Sequence, residues 1–217
     1  MAAKRFSLPF YRRINRRMKN PVLFYFDFSS PYGYLASLRI DAIAAQHGRE
    51  VAWKPILLGA IFKASGNASL VQQPLKGKYS MHDFSRSARW FKAPYRMPSV
   101  FPIATQNAAR AFYWLNDSDP ALARALAQRL FAVYFAEGRD ISSVEMVIAE
   151  AKALGVDQHK LTAALADQVL KDRLRAEVEK ALELGVCGSP YTIVDGEPFW
   201  GADRLDQVDA WLKTGGW

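Results

Sequence analysis

The junction between a strand and a helix near residue 30 constrains the fold of this chain more than any other feature. The aromatic run Phe24–Phe28 is typical of a buried strand, and a helical pattern begins just after it, at Ser30-Pro31. Serine accepts hydrogen bonds from the free N–H groups of a first helical turn, and proline is pre-set for the first helical position. The sequence therefore predicts that the Ser30 hydroxyl lies at the positive end of a helix, where an anion or thiolate is stabilised.

The elements around this junction predict a strand, a helix and a second, parallel strand. The first strand is expected over Val22–Phe28 and the helix over Pro31–His47, with Gly48 as its stop. The next strand is expected over Glu50–Pro55. Three such elements within about 35 residues are typical of a βαβ unit.

The middle of the chain is predicted to be mainly helical, after an irregular stretch. Glycines and prolines recur over 59–116 and indicate that it holds no long element, apart from a helix at Ala104–Leu115. The helical segments that follow are expected over Asp119–Ala136, from the capping box Ser142–Glu145 to Gly155, and from Asp157 to Leu184 with a break.

The C-terminal part returns to strands and predicts the fold class. Tyr191–Val194 and Glu197–Trp200 flank the dipeptide Asp195-Gly196, which is typical of a hairpin turn. The segment Asp203–Lys213 is an amphipathic helix. A β-α-β start and a β-β-α end predict an α/β protein with a thioredoxin-like core and a large all-helical insertion. We expect the core in 21–58 and 185–217, the insertion in 59–184, and an N-terminal extension in 1–20.

The positive charge of the chain is concentrated in its first 20 residues. The formal net charge is +8, from 29 basic and 21 acidic residues, and this extension holds seven of the basic residues and no acid. The remainder is close to neutral, which argues against a nucleic-acid-binding surface. Together with Phe6, Phe10 and Tyr11, these cations could give weak contact with an anionic membrane. The alternatives are a mobile solubilising extension and a transit peptide.

The single cysteine bounds the redox chemistry of the chain. With one cysteine in 217 residues, no internal disulfide and no Cys-x-x-Cys dithiol can form, and Cys187 is interpreted as a buried, inert thiol. The three histidines have no metal-ligand spacing with it, so no metal site is predicted. No apolar run approaches the roughly 18 residues of a membrane span. We expect a cytoplasmic protein, whose thiol chemistry would depend on a thiol from outside the chain.

Five short motifs together resemble a known family. In chain order they are Ser30-Pro-Tyr, Gly66-Asn67, Pro74-Leu-Lys76-Gly77, Gly185-Val-Cys-Gly-Ser-Pro190 and Trp200-Gly-Ala-Asp-Arg204. This order resembles the 2-hydroxychromene-2-carboxylate isomerases, which are relatives of kappa-class glutathione transferases with a DsbA-like thioredoxin fold. Each motif alone is weak, but their order over residues 21–213 is specific at the level of the family.

The resemblance implies glutathione as the cofactor, with Ser30 as the catalytic residue that hydrogen-bonds its sulfur. A hydroxyl donor at a helix N-terminus would favour a thiolate over a thiol. A plain N-cap role is the alternative for Ser30, and Ser29 is the rival hydroxyl. The resemblance also implies that Pro190 is cis and that Ser189, just before it, pairs through its main chain with glutathione.

The other cofactor contacts implied by the resemblance lie at Asn67, Lys76 and Asp203. Asp203 would bind the γ-glutamyl ammonium. Its alternative role is a helix N-cap or a first-turn acid, and the two roles are compatible. Asn67 and Lys76 would contact the glycine end of glutathione. Lys76 is also the first candidate to hold a substrate carboxylate, followed by Arg86 or Arg89. A solvent-exposed lysine with no ligand is the alternative for Lys76.

These implications lead to one functional hypothesis and two alternatives. The leading hypothesis is a glutathione-dependent isomerase that acts by reversible thiolate addition to a conjugated aromatic 2-oxo acid, an aromatic carboxylate substrate. The resemblance implies a homodimer, and no nucleic acid partner is expected. The first alternative is a kappa-like glutathione transferase or peroxidase. The second is a non-catalytic thioredoxin-like binding module, which would not bind glutathione.

Overall fold

One mixed β-sheet organises the fold. The structure is a computed structural model that describes residues 20–217. The basic extension predicted for 1–20 lies outside the described residues except for Asn20. The strands are β1 Val22–Phe26, β2 Val51–Pro55, β3 Tyr191–Val194 and β4 Glu197–Trp200. Their order is β2-β1-β3-β4, with β1 parallel to β2, and with β3 antiparallel to both β1 and β4.

Ten α-helices accompany these strands within residues 20–217. They are α1 Pro31–Ser37, α2 Ile40–Gln46, α3 Leu58–Ser65, α4 Pro74–Phe91, α5 Gln106–Asn116, α6 Pro120–Phe135, α7 Val144–Ala153, α8 Gln158–Ala166, α9 Gln168–Glu183 and α10 Leu205–Thr214. None of these helices combines the length and the apolar character needed to cross a membrane. The predicted α/β thioredoxin-like fold, with a long helical segment between the two halves of the sheet, is confirmed. The division into separate domains at residues 58 and 185 remains a prediction.

The core lies between the sheet and the helices of the middle segment. Phe24 and Phe26 on β1 are fully buried with stacked rings whose centroids are 5.3 Å apart, and Trp53 of β2 meets both edge-on. Phe131 on α6 packs on Phe26 and on Phe28. Because each buried aromatic side chain contributes about 1.5–3 kcal/mol, this cluster joins β1 firmly to the middle segment.

The helix predicted over Pro31–His47 is divided into α1 and α2. Leu38 follows the last residue of α1, and the φ angle of Arg39, −125°, interrupts the helical backbone. The break places Ile40 and Ile43 of α2 in the core. No glycine or proline marks it in the sequence, so tertiary packing decides where the helix divides.

The prediction of an irregular stretch over 59–116 is wrong, because this stretch holds α3 and the 18-residue α4 before α5. Its glycines and prolines mostly bound the helices. Gly66 ends α3 with a left-handed backbone, at φ 69°, and Pro74 occupies the first position of α4, where proline is favoured. Gly77 lies inside α4, where a Cβ would lie 2.7 Å from the Val71 carbonyl oxygen, so this close approach requires glycine.

The turn and cap signals elsewhere are confirmed, with one shift of register. The hairpin turn Asp195-Gly196 has positive φ at both positions, 53° and 98°, as a two-residue turn of this type requires. Asp157 caps α8 through two backbone N–H groups. The capping residue of α7 is Ser143, which accepts from the Met146 N–H, and not Ser142 as the predicted capping box requires.

Candidate active site

One cleft, at the point where β1 ends and α1 begins, brings together residues from distant parts of the chain. Its volume is about 1170 Å³. Of the residues predicted to act on glutathione, those that line it are Ser30, Asn67, Lys76, Ser189 and Asp203. Pro190 follows Ser189 in the chain and does not line the cleft. The structure thus gathers the predicted residues at one place, while their roles remain predictions.

Ser30 caps α1 and is almost fully buried, at 4% exposure. Its hydroxyl oxygen accepts a hydrogen bond from the Gly33 N–H at 3.0 Å, which confirms the predicted N-cap. The hydroxyl donates its single hydrogen to the Ser189 carbonyl oxygen at 2.9 Å. A thiolate would therefore receive that hydrogen only if the hydroxyl turned away from Ser189.

The loop before β3 presents the backbone of Ser189 to Ser30. The Ser189–Pro190 peptide bond is cis, as predicted. The Ser189 hydroxyl accepts from the Asp27 N–H at 2.9 Å, and it lies 2.8 Å from the position of a Cβ on Gly33, so α1 requires glycine there. Within residues 20–217 the Ser189 N–H makes no hydrogen bond, which leaves a backbone donor for a ligand.

A buried carboxylate beneath this junction, Asp27, is absent from the residues predicted from the sequence. It is 4% exposed and accepts from the N–H groups of Ser29 (2.7 Å) and Leu58 (2.6 Å). It also accepts from the Thr105 hydroxyl at 2.8 Å. Burial raises the pKa of Asp27, and these three hydrogen bonds lower it in part. Because its partners lie just before or at the first residues of α1, α3 and α5, Asp27 fixes three helix starts at the cleft.

The rival hydroxyl, Ser29, is engaged on another segment. It accepts a hydrogen bond from the Ile103 N–H at 3.0 Å. That bond ties the connection between β1 and α1 to the loop before α5. Ser29 therefore has a structural contact of its own, and the hydroxyl that meets the Ser189 carbonyl belongs to Ser30.

The wall of the cleft between α3 and α4 carries Asn67 and Lys76. Both residues are exposed, and the Asn67 amide donates to the Ser65 hydroxyl at 3.1 Å. Lys76 lies in the first turn of α4, and Lys63 lies near the end of α3. Neither lysine makes a hydrogen bond or ion pair within residues 20–217. This wall therefore offers two cations to an anionic ligand.

Asp203 lies in a short 3-10 helix, Ala202–Arg204, and is exposed. The predicted helix start at this residue is displaced, since α10 begins at Leu205. The Asp203 side chain caps neither helix, but it is an acid in the first turn of the 3-10 helix, as the first-turn alternative predicts. Its carboxylate lies 3.6 Å from the Arg204 guanidinium. It also lies against Gly201, because a Cβ on residue 201 would collide with Asp203 Oδ1.

Tyr32 links the start of α1 to α4, which forms another wall of the cleft. Its hydroxyl donates to the Asp83 carboxylate at 2.5 Å. Arg86 pairs with the same carboxylate and donates to the Tyr79 hydroxyl at 2.7 Å. The charge of Arg86 is therefore balanced within the protein. Arg89, the other arginine considered for a substrate carboxylate, does not line the cleft.

Cys187 lines the cleft as a free thiol. It is only partly buried, which corrects the prediction of a buried thiol. Burial of its sulfur still raises its pKa, which favours the protonated and less reactive form. Within the described part of the chain, no group of three or more histidine, cysteine and acidic side chains could hold a metal ion.

Comparison with known proteins supports the same fold. A family model described as a DsbA-like thioredoxin domain matches residues 21–213. A solved structure of 2-hydroxychromene-2-carboxylate isomerase superposes on this chain with a TM-score of 0.80 at 26% identity. The match covers 89% of this chain and 95% of that one.

The relatives that are similar in sequence include isomerases and kappa-class glutathione S-transferases. The chain is 31% identical over 194 residues to 2-hydroxychromene-2-carboxylate isomerase from Pseudomonas putida, covering 86% of this chain and 91% of the relative. It is 26% identical over 197 residues to glutathione S-transferase kappa 1 from Caenorhabditis elegans, covering 85% and 87%. The chain therefore belongs to the 2-hydroxychromene-2-carboxylate isomerase family of DsbA-like thioredoxin proteins.

Proposed function

We propose that this protein is a glutathione-dependent isomerase of the 2-hydroxychromene-2-carboxylate type. The observation that carries the proposal is the Ser30 hydroxyl meeting the Ser189 carbonyl at 2.9 Å, in a cleft that Asn67, Lys76 and Asp203 also line. A relative that bears this name matches most of the chain. Its named activity is the function that this arrangement supports best.

The residues beside Ser30 fit a thiol peptide. The Ser189 N–H makes no hydrogen bond within residues 20–217, and the Ser189 carbonyl accepts the Ser30 hydrogen. A peptide added as a strand beside Ser189 would use both backbone groups. If the Ser30 hydroxyl turned toward a sulfur, the Ser189 carbonyl would become free for the N–H of that peptide. Binding of the sulfur at Ser30 and pairing of the peptide with the Ser189 carbonyl would therefore favour each other.

The other predicted residues would hold the two ends of the cofactor. Lys76 makes no ion pair within residues 20–217, so it is available to a glycyl carboxylate, with Asn67 on the same wall. Asp203 is exposed and suits the γ-glutamyl ammonium. Pro190 has no N–H and would contribute only by fixing the backbone that follows Ser189.

Ser30 would act on the sulfur and would not itself be the nucleophile. Bound glutathione would supply a thiolate that adds reversibly to a conjugated double bond and leaves after that bond has rotated. Ser30 would hold the charge of this thiolate by donating its hydrogen, and the positive end of the α1 dipole would add to the effect. Because Ser30 is 4% exposed, little water competes for the hydroxyl.

The size and lining of the cleft fit a second ligand. Its volume of 1170 Å³ exceeds the roughly 300–1,000 Å³ of typical small-molecule sites. Tyr79 and Trp90 of α4 and Phe62 of α3 offer flat apolar surface to an aromatic ring. Lys63 and Lys76 would hold the carboxylates of the two ligands. An aromatic 2-oxo acid would supply both the ring for this apolar surface and the carboxylate for a lysine.

The test is the interconversion of 2-hydroxychromene-2-carboxylate and its ring-opened 2-oxo acid, followed by ultraviolet absorbance with and without glutathione. We expect conversion only when glutathione is present. An equal rate without glutathione would contradict the proposed mechanism. Glutathione binding without any conversion would exclude this substrate and favour a different reaction at the same site.

The similarity to glutathione S-transferase kappa 1 supports a second candidate, a kappa-like transferase or peroxidase. That activity would use the same cofactor site but would consume glutathione, whereas the isomerase returns it unchanged. Measurement of glutathione before and after turnover separates the two. A non-catalytic binding module would bind no glutathione. The homodimer and the cytoplasmic location remain predictions from the family resemblance and the cysteine content.

A further inference from the structure

Trp200, at the end of β4, presents its indole ring to the same cleft. The residue is 60% exposed, whereas its neighbour Phe199 is buried against Trp211. Because successive side chains of a strand point to opposite faces, one aromatic residue enters the core and the next lines the cleft. The ring of Trp200 is therefore available to a ligand.

Glycine at position 188 lets the indole rest on the loop that carries Ser189. A Cβ on Gly188 would collide with Trp200 Nε1 and would lie 2.8 Å from Cε2. The indole edge thus occupies the space in which another residue at 188 would place its side chain. Gly201 leaves space for Asp203 in the same way, because a Cβ on residue 201 would collide with Asp203 Oδ1. Two glycines therefore let Trp200 and Asp203 lie against backbone beside the cleft.

Two hydrogen-bond donors at this place have no partner. Within residues 20–217, neither the Trp200 indole N–H nor the Ser189 N–H makes a hydrogen bond. The Gly201 N–H donates to the Pro190 carbonyl at 3.0 Å, which holds the turn after Trp200 against the Ser189 loop. Because Nε1 lies against Gly188, the residue before Ser189, both donors lie beside the backbone on which a peptide would be added.

We propose that Trp200 is a ligand-binding residue of the glutathione site, an inference that rests on the proposed function. Its ring covers a short thiol peptide that lies along Ser189. Its N–H donates to a carbonyl or carboxylate oxygen of that peptide. Ser30 acts on the sulfur, and Trp200 acts on the peptide backbone.

Tryptophan fluorescence and calorimetry together test this role. Glutathione titrated into the full chain should change the tryptophan emission, and Trp200→Phe should remove most of that change. Trp200→Phe keeps a ring but loses the donor, so we expect an affinity about fivefold weaker. Trp200→Ala loses both and should weaken binding about 30-fold. Trp217→Phe is the matched control, since Trp217 is 74% exposed, does not line the cleft, and should leave affinity and emission change nearly intact.

Gly188→Ala provides a second variant, because it displaces the indole without deleting it. Alone it should weaken glutathione binding about as much as Trp200→Ala, and in the Trp200→Ala background it should weaken binding no further. Gly59→Ala is the control for an added methyl group in the cleft, since a Cβ there meets nothing within 4 Å. A melting temperature for each variant shows that it is folded.

The possible outcomes separate this inference from the proposed function. Equal affinity and equal emission change in the wild type and in Trp200→Phe would overturn the role of Trp200 and leave glutathione binding intact. Additive losses in the double variant would also overturn it, because Gly188 would then act directly on Ser189. No binding by the wild type at millimolar glutathione would overturn the proposed function and the role of Trp200 together.

Discussion

At the scale of single residues, the account depends on where the Ser30 hydroxyl directs its one hydrogen. The Ser189 carbonyl accepts that hydrogen, while the Gly33 N–H uses a lone pair of the same oxygen. Redirecting the hydrogen to a sulfur would therefore leave the cap of α1 in place. Capping and sulfur binding, which the sequence left as alternatives for Ser30, are compatible in this geometry.

Ser30→Ala should impair cofactor use more than folding. Loss of the cap should cost about 0.5–2 kcal/mol of unfolding free energy, whereas loss of the donor should lower glutathione-dependent turnover about 10- to 100-fold. Ser29→Ala is the control, since Ser29 binds the Ile103 N–H and should affect stability alone. Denaturant unfolding and kinetics measure the two effects. Full activity in Ser30→Ala would show that another group holds the sulfur.

The sequence predicts Ser30 and Ser189 but not the carboxylate beneath them. The serine-proline pair at Ser30 is a local signal of a helix start, whereas the role of Ser189 is predicted only through the family resemblance. The partners of Asp27 include Leu58 and Thr105, which are 31 and 78 residues away, and no local pattern connects them. The one local trace is an Asx turn, in which Asp27 accepts from the N–H two residues later.

At the scale of elements, the glycines and prolines of 59–91 were informative about helix ends and misleading about helix content. Pro74 starts α4 and Gly66 ends α3. Sequence patterns treat both residues as breakers, and only the position of each within its helix shows its function. Gly77 is allowed within α4 because Val71 of the preceding turn lies against it, a contact the sequence does not reveal.

Gly77→Ala should loosen the wall that carries Lys76. The new Cβ would lie 2.7 Å from the Val71 carbonyl oxygen, so we expect a loss of about 1–3 kcal/mol of unfolding free energy. Gly59→Ala, in α3, should instead gain about 0.5–1 kcal/mol, because a Cβ there has open space and alanine favours the helix. Thermal unfolding compares the two. Equal melting temperatures would contradict the close contact at Gly77.

The link between α1 and α4 should make stability depend on pH through Asp83. Burial raises the pKa of this carboxyl, but hydrogen bonds from Tyr32, Arg86 and Ser87 outweigh burial and hold the pKa below its ordinary 3.8. The stabilisation is therefore complete above 3.8 and is lost as the pH falls through the lowered pKa. Asp83→Asn should be less stable than the wild type near neutral pH, and the gap should close in acid. A gap that is constant with pH would contradict this link.

At the scale of the whole molecule, the two halves of the sheet make the fold class predictable. Strand signals at both ends of the chain, with helices between them, indicate a thioredoxin-like core before any contact is known. The cleft is not predictable in the same way, because its lining extends from Asp27 to Asp206 and depends on α3 and α4, which were not predicted. The family motifs supply the predicted site residues, whereas only the packing reveals Asp27 and the position of the Trp200 ring in the cleft.

Removal of residues 1–19 should leave glutathione affinity unchanged, because the residues of 20–217 that line the cleft all lie between Asp27 and Asp206. The same deletion should affect binding to anionic vesicles. The full chain should bind these vesicles at low salt and release them as the salt concentration rises, because its cations are concentrated in residues 1–19. Co-sedimentation with vesicles and calorimetry with glutathione measure both effects. Equal vesicle binding by the two proteins would exclude a membrane role for this segment.

The central claim is that glutathione binds with its sulfur at Ser30 and its main chain along Ser189. A crystal structure of the full chain grown with glutathione tests it most directly. We expect the sulfur to accept the Ser30 hydrogen, and the Ser189 N–H and carbonyl to pair with the peptide. Glutathione bound elsewhere, or a sulfur remote from a Ser30 hydroxyl that still donates to the Ser189 carbonyl, would contradict the account.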